Sequence, residues 1–294
     1  GGGTDVAMRA YAPYAEEALG KKIVLQNKPG ASGAIGANFV LQQPADGYTL
    51  LMGAEPQSLF RVMGTADFDY DKFYPINIAA IANTVLLVAR ADAPWNTMQD
   101  LLSHVQANPN KVKQYTAGPG TVPFTVNAMI GSLTKFDTIR IPFDGDGPAI
   151  AALQGGHADI GFIASGAVIE HIKAGRLKAL GVLSDKPYQG IPPMTDAPSV
   201  RNITKYLPWG AWYGVFVRKE APDEVKAKLV AAFKKAAETP KYREFMANRG
   251  TTILNLSGAE AEKFIKKWQS TTAWLYQGAG VAKKNPAELG IAKP

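Results

Sequence analysis

The chain contains no cysteine among its 294 residues, which excludes disulfide bridges, thiolate metal ligands and cysteine nucleophiles. Long apolar runs are also missing. The longest, such as residues 84–89 and 179–183, have the length of a strand rather than of a membrane-spanning helix. No secretory leader pattern remains at the start, so we expect that an N-terminal segment has been removed.

Histidine is scarce as well. His104, His157 and His171 lie on separate segments and lack the spacing of zinc ligands. No Walker loop, nucleophile elbow or complete dinucleotide-binding fingerprint occurs. We therefore expect no metal, no cofactor and no catalytic residue.

Net charge is +7, but the excess is local. Residues 201–294 contain 17 Lys and Arg against 8 Asp and Glu, so the rest of the chain is slightly acidic. Basic residues at helical spacing, without a recognition motif, are typical of solvated helix faces. We expect no nucleic-acid partner.

Hydrophobic residues make up 46% and aromatic residues 10% of the chain, which excludes disorder and indicates one large domain or two smaller ones. Short β-rich runs alternate with helical patterns along residues 23–183, and helical periodicity dominates residues 223–278. This alternation predicts an α/β fold in two lobes, each a mainly parallel sheet flanked by helices.

Two longer strand-like segments, residues 85–89 and 213–217, interrupt the alternation, and each is followed by a proline-containing turn. We interpret them as strands that cross between the lobes. The predicted first lobe is then discontinuous, with residues 1–91 and 217–294, and the second lobe comprises residues 92–216.

Two glycine-rich turns form a matched pair: GGGTD at residues 1–5 and TAGPGT at residues 116–121. Each precedes a stretch of helix length, residues 6–19 and 123–133. The first N–H groups of a helix have no internal acceptor and carry the positive end of its dipole, so they bind anions. The pair predicts a carboxylate site without a charged side chain. Alternatively, the turns are only structural, with Thr4 and Thr121 as helix caps.

Further motifs extend the pattern along nearly the whole chain: NKPGASGAIG at 27–36, ADGYTLL at 45–51, GGHAD at 155–159, IKAGRLKAL at 172–180 and WYGVF at 212–216. Together with the glycine turns, their order and spacing resemble those of the extracytoplasmic solute receptors of tripartite tricarboxylate transporters, the Bug family. The resemblance implies a monomeric periplasmic two-lobed protein that captures a small organic acid and delivers it to a membrane permease. It also implies a strand before Gly1.

In the family, a loop and helix start from each lobe hold the ligand carboxylate. Carried over to this sequence, these are Gly3, Thr4 and Asp5, and the segment 118–122. The full set of candidate ligand-binding residues is Gly3, Thr4, Asp5, Glu55, Pro56, Gly118, Gly120, Thr121, Val122, Phe124, Phe143, Asp144, Ala164 and Ser165.

Several of these residues depart from the family pattern. Glu55 stands in a loop that is usually small and rich in Ser and Thr, Phe124 replaces a His, and Asp144 replaces a Lys. Cationic groups are lost and acidic or apolar groups gained, so we expect a ligand with one carboxylate and an aromatic, hydroxylated or amine-bearing remainder. The alternatives are an enzyme acting on a small carboxylate, with Asp144 or Glu55 as base, and a soluble sensor subunit. A role of Asp144 and Asp146 as a general acid and base is less favoured than a structural or ligand-orienting role in that turn.

Overall fold

Ten α-helices and nine strands occur in the computed structural model, which describes residues 2–294. The helices are α1 (Gly3–Leu19), α2 (Ala34–Leu41), α3 (Phe60–Met63), α4 (Met98–Ala107), α5 (Val122–Gly131), α6 (Asp146–Gln154), α7 (Ser165–Lys173), α8 (Asp223–Glu238), α9 (Pro240–Ala247) and α10 (Gly258–Gly278). The strands are β1 (Leu51–Ala54), β2 (Phe73–Ala82), β3 (Val85–Arg90), β4 (Lys113–Thr116), β5 (Ile139–Pro142), β6 (Ile160–Ala164), β7 (Leu177–Val182), β8 (Ala211–Arg218) and β9 (Thr252–Leu256).

These strands form two sheets, with the orders β1-β8-β2-β9 and β5-β4-β6-β3-β7. The predicted two-lobed α/β fold is confirmed, and we call the parts built on these sheets the first and the second lobe. The prediction of mainly parallel pairing is wrong for the first lobe, where every pairing is antiparallel. In the second lobe β4 pairs in parallel with β5 and β6, whereas β3 is antiparallel to both neighbours.

The two predicted crossing strands each lie wholly within one sheet. β3 belongs to the second lobe and β8 to the first. The chain changes sheet at Asn83 and Thr84, between β2 and β3, and again between β7 and β8. The predicted boundary at 91/92 follows β3, and the one at 216/217 lies within β8. We propose lobe boundaries near residues 83 and 210.

Packing of aromatic rings stabilises the first lobe. Trp212 on β8 is fully buried and contacts Tyr70, Phe216 and Trp268. Trp268 belongs to a buried face of α10 together with Thr272 and Leu275. Burial of such rings contributes about 1.5–3 kcal/mol per side chain to the stability of this lobe. Among residues 2–294, no helix is both long and apolar enough to cross a membrane.

Candidate functional site

A cleft of about 1010 Å³ opens between the lobes and continues as a groove along residues 21–29 and 46–51 of the first lobe. This volume includes the groove, so the space between the lobes alone is smaller than the total. Eleven of the fourteen predicted residues line the cleft: Gly3, Thr4, Asp5, Glu55, Pro56, Gly118, Thr121, Val122, Phe143, Asp144 and Ala164. That they bind a ligand stays a prediction.

The other three predicted residues have structural contacts elsewhere. Phe124 packs edge to face on Tyr276, with ring centroids 5.4 Å apart, because its side of α5 faces α10. Ser165 is fully buried and its hydroxyl donates to the Arg249 carbonyl. Gly120 adopts a φ of +90° and lies against Pro56 of the opposite lobe. None of these three residues belongs to the lining of the cleft.

The start of α1 is occupied by a carboxylate of the protein itself. The N–H of Gly3 donates to Asp146 Oδ2 at 3.3 Å, and the Tyr115 hydroxyl donates to Asp146 Oδ1 at 3.1 Å. Asp146 is the first residue of α6 in the second lobe, so this contact joins the lobes. Burial raises the pKa of Asp146, against the opposing effect of these two hydrogen bonds. An internal anion thus lies at one of the two predicted ligand-binding helix starts.

The start of α5 has a different arrangement. Thr121 is the residue that precedes the helix, but its hydroxyl donates to the Gly118 carbonyl at 2.7 Å instead of accepting from a helix N–H. The alternative in which the Thr121 hydroxyl caps the helix is therefore wrong. Pro123 has no N–H, so Val122 and Phe124 provide the donors of the first turn that lack helical acceptors. This helix start remains suited to a ligand carboxylate.

Glu55 lies directly after β1 and is only 4% exposed. Its Oε2 atom has no hydrogen-bond partner among the described residues. Burial, with a further contribution from the nearby Asp146 charge, raises its pKa to about 8, although backbone N–H groups partly oppose the shift. Tyr70, Tyr213 and Tyr276 are close enough that the Glu55 charge adds to the effect of burial in raising their pKa values.

Asp144 and Asp146 differ in position although both lie in the same turn. Asp144 is exposed at the rim, whereas Asp146 lies deeper and contacts the opposite lobe. The sequence pattern predicts Asp144, and not Asp146, as the ligand contact. Asp146 is the first residue of α6, and an acidic residue two positions before Pro148 is a signal of a helix start that could have favoured it.

The loop before α2 also contributes to the cleft and was missed. Ala31 and Ser32 have φ values of 48° and 54°, an uncommon conformation for residues with a side chain. This loop places Ser32 so close to Gly118 of the second lobe that a Cβ there would collide with the Ser32 Oγ. That hydroxyl is buried without a partner among residues 2–294. Backbone strain of this kind is often found at ligand sites.

Comparison with known proteins shows which family this chain belongs to. The family model described as "Tripartite tricarboxylate transporter family receptor" matches residues 7–279. A UPF0065 protein of Bordetella pertussis is 30% identical over 96% of this chain and 87% of its own length. Protein BugT of the same species is 27% identical over 98% of this chain and 87% of its own length.

Solved structures agree with this result. The periplasmic binding protein BugD is 27% identical, has a TM-score of 0.89, and is matched over 97% of this chain and 95% of its own. MatC from Rhodopseudomonas palustris, solved with bound malate, shares the fold with a TM-score of 0.82 at 24% identity, over 95% of both chains. The family consists of periplasmic solute receptors rather than enzymes. The chain belongs to the receptor family of the tripartite tricarboxylate transporters.

Proposed function

We propose that this protein is a periplasmic receptor that captures a small organic acid between its lobes and delivers it to a membrane permease of the tripartite type. Family membership supports this role. The single observation that carries the proposal is that the starts of α1 and α5, one from each lobe, line the same cleft. We expect the protein to act as a monomer.

The cleft favours one ligand carboxylate at the α5 start. There the N–H groups of Val122 and Phe124 are the free donors of the first turn, and the Thr121–Gly118 hydrogen bond fixes the preceding turn. At the α1 start the Gly3 N–H is already paired with Asp146. A carboxylate at α5 would gain charge-assisted hydrogen bonds, which are stronger than neutral ones.

Contacts between the lobes indicate how binding would be coupled to closure. Gly3 meets Asp146, Gly120 meets Pro56, and Ser32 meets the Gly118 turn. The structure thus has the lobes in contact around the cleft. We propose that ligand stabilises this closed arrangement by a hinge motion at the two connections between the sheets, and that the permease recognises it.

A thermal-shift screen of monocarboxylic, dicarboxylic, aromatic and amino acids, followed by calorimetry, tests the proposed function. A ligand at 100 times its dissociation constant should add about 2.7 kcal/mol to the free energy of unfolding. Sugars without a carboxylate serve as controls and should leave the melting temperature unchanged. Stabilisation by sugars alone, with no response to any acid, would contradict the proposal.

Small-angle scattering tests the closure. We expect the radius of gyration to fall when an acid identified by calorimetry is added. Equal scattering curves with and without that acid would remove the hinge from the proposal. To test the enzyme alternative, the same acid is incubated with the protein and recovered, and we expect it to be unchanged.

A further inference from the structure

The two lobes each contribute one carboxyl group to the cleft. Glu55 follows β1 of the first lobe, and Asp146 begins α6 of the second. Both line the cleft, and they are close enough that the charge of Asp146 disfavours ionisation of Glu55. Two like charges on opposite walls of a closed cleft repel each other, so closure with both groups ionised requires something between them.

Glu55 has an incomplete set of partners for a buried carboxyl group. Oε2 accepts no hydrogen bond from any of residues 2–294, although the residue is only 4% exposed. Within the same part of the chain, no Lys or Arg forms an ion pair with Glu55 or Asp146. An unpaired buried carboxyl oxygen is costly, and a bound donor would remove that cost.

The groups around this pair suit a cation. Tyr213 lines the cleft close to Glu55, and burial raises its pKa well above the usual value, so it stays neutral. Phe143 and Tyr115 pack edge to face near Asp146, with centroids 6.0 Å apart. Ring faces and carboxylates both attract an ammonium group, whereas a second ligand carboxylate would be repelled.

We propose that Glu55 and Asp146 form a cation subsite that receives the ammonium group of a zwitterionic organic acid whose carboxylate is held at the start of α5. This inference rests on the proposed function and names its substrate class. Pro56 lies directly against Gly120 of the turn that precedes α5, which places the cation subsite next to the carboxylate site. The two subsites are therefore adjacent, which favours a small amino acid as the ligand.

Calorimetric titration of the full chain with matched probe pairs tests the subsite. The pairs are L-alanine and β-alanine against propionate, and γ-aminobutyrate against butyrate. We expect at least one amine-bearing probe to bind about tenfold or more tightly than its deaminated counterpart, because it gains hydrogen bonds between charged groups. Equal or tighter binding of every deaminated acid would overturn the subsite and leave the receptor function standing. If no acid of either kind binds, the proposed function fails and the subsite with it.

Variants locate the selectivity. Glu55→Gln and Asp146→Asn should each reduce the amine preference by about tenfold while leaving binding of the deaminated acids equal or improved. Glu244→Gln, on the exposed surface of α9, is the matched control and should keep the preference. Thermal melting of each variant checks that it folds. If both cleft variants fold and retain the full preference, the pair does not bind the ammonium group.

Dependence on pH distinguishes the subsite from a merely structural role. Among the groups that face Glu55, the tyrosines stay neutral, so Glu55 and Asp146 are the ones that titrate. An ammonium ligand requires ionised Glu55, so its binding should strengthen from pH 6 to 8 and release close to one proton at pH 7. The proton release is measured by calorimetry in buffers of different ionisation enthalpy. Binding of the amine probe that weakens over this range, or takes up a proton, would contradict the proposal.

Discussion

The starts of α1 and α5 are both helix N-termini, but they have different hydrogen-bond partners. At α1 the Gly3 N–H donates to Asp146, a carboxylate supplied by the opposite lobe. At α5 the Thr121 side chain is turned back to Gly118, and no side chain caps the helix. A helix start binds a ligand only where the protein has not already supplied the anion. The comparison therefore predicts one ligand carboxylate rather than two.

The carboxyl group of Asp146 at the start of α1 also affects the charge of the cleft. Asp146 adds a negative charge to a cleft that already contains Glu55, so both groups select against further anions. The two regions are complementary: the α5 start favours a carboxylate, and the α1 side favours a cation or a neutral donor.

The largest expected effect on ligand affinity is at the α5 turn. Gly120→Val places a Cβ 3.1 Å from the Pro56 Cα at a φ of +90°, where a branched side chain is strained. We expect a loss of about 1–3 kcal/mol in the free energy of unfolding from the backbone alone. Affinity for the acid should fall by about a hundredfold or more, because the donors at the α5 start are displaced. Urea denaturation and calorimetry measure the two effects.

Gly156→Val is the control for this prediction. Gly156 also has a positive φ, +73°, but a Cβ there meets nothing within 4 Å. It should show the stability loss without the affinity loss. If the two variants have equal affinity, the Gly120 turn does not position the ligand.

The next effect concerns stability against pH. Glu55 has a pKa of about 8 in the folded protein, above its usual value of 4.5. Between these values the native state keeps a proton that the unfolded state has lost, so stability decreases as pH rises from about 4.5 to 8. The shift corresponds to roughly 5 kcal/mol at most. Urea denaturation of the unliganded protein at several pH values measures it.

Glu55→Gln should be more stable than the native chain at pH 8 and should lose most of this slope. The unpaired Glu55 would then lower the stability of the protein and be retained because it binds the ligand. Such a loss of stability is common at functional sites. An unchanged slope in this variant would assign the pH dependence to other groups.

A smaller effect distinguishes the two aspartates. Asp146→Ala frees the Gly3 N–H and removes a cleft charge, so dicarboxylates such as succinate should compete several-fold better. Asp144→Ala, at the exposed rim, should change this competition by less than about twofold because solvent screens its charge. A stronger effect of Asp144→Ala than of Asp146→Ala would show that Asp144 contributes more than Asp146 to the selection against dicarboxylates.

Local patterns of the sequence predicted much of the fold. Periodicity defines α8 at Asp223–Glu238, and the glycine turns mark both helix starts, because caps and amphipathic faces depend on neighbouring residues. Strand pairing depends on distant segments, so the antiparallel first sheet was not predicted. β2 was missed because Pro75 normally disfavours a central strand, and the register shift between Pro75 and Asn77 accommodates it.

The same distinction applies to the cleft. Glu55 and the two turns were identified from short motifs, whereas the partners that decide their chemistry come from far along the chain. Asp146 accepts a hydrogen bond from Gly3, and Phe124 packs against Tyr276. No local pattern specifies these contacts, since they result from how the two lobes meet.

The smallest expected effect compares the two threonines at the helix starts. Thr121→Ala removes the hydroxyl that donates to the Gly118 carbonyl, so we expect a loss of about 1 kcal/mol in the free energy of unfolding and a few-fold loss of affinity. Thr121→Ser keeps the hydroxyl and should restore both. Thr4 lies inside the first turn of α1, where Asp146 already supplies the anion, so Thr4→Ala should change affinity by less than Thr121→Ala. Calorimetry with the same acid measures all three variants. A larger loss for Thr4→Ala would show that the α1 start contributes more to the ligand site than the α5 start, and the comparison between the two would have to be reversed.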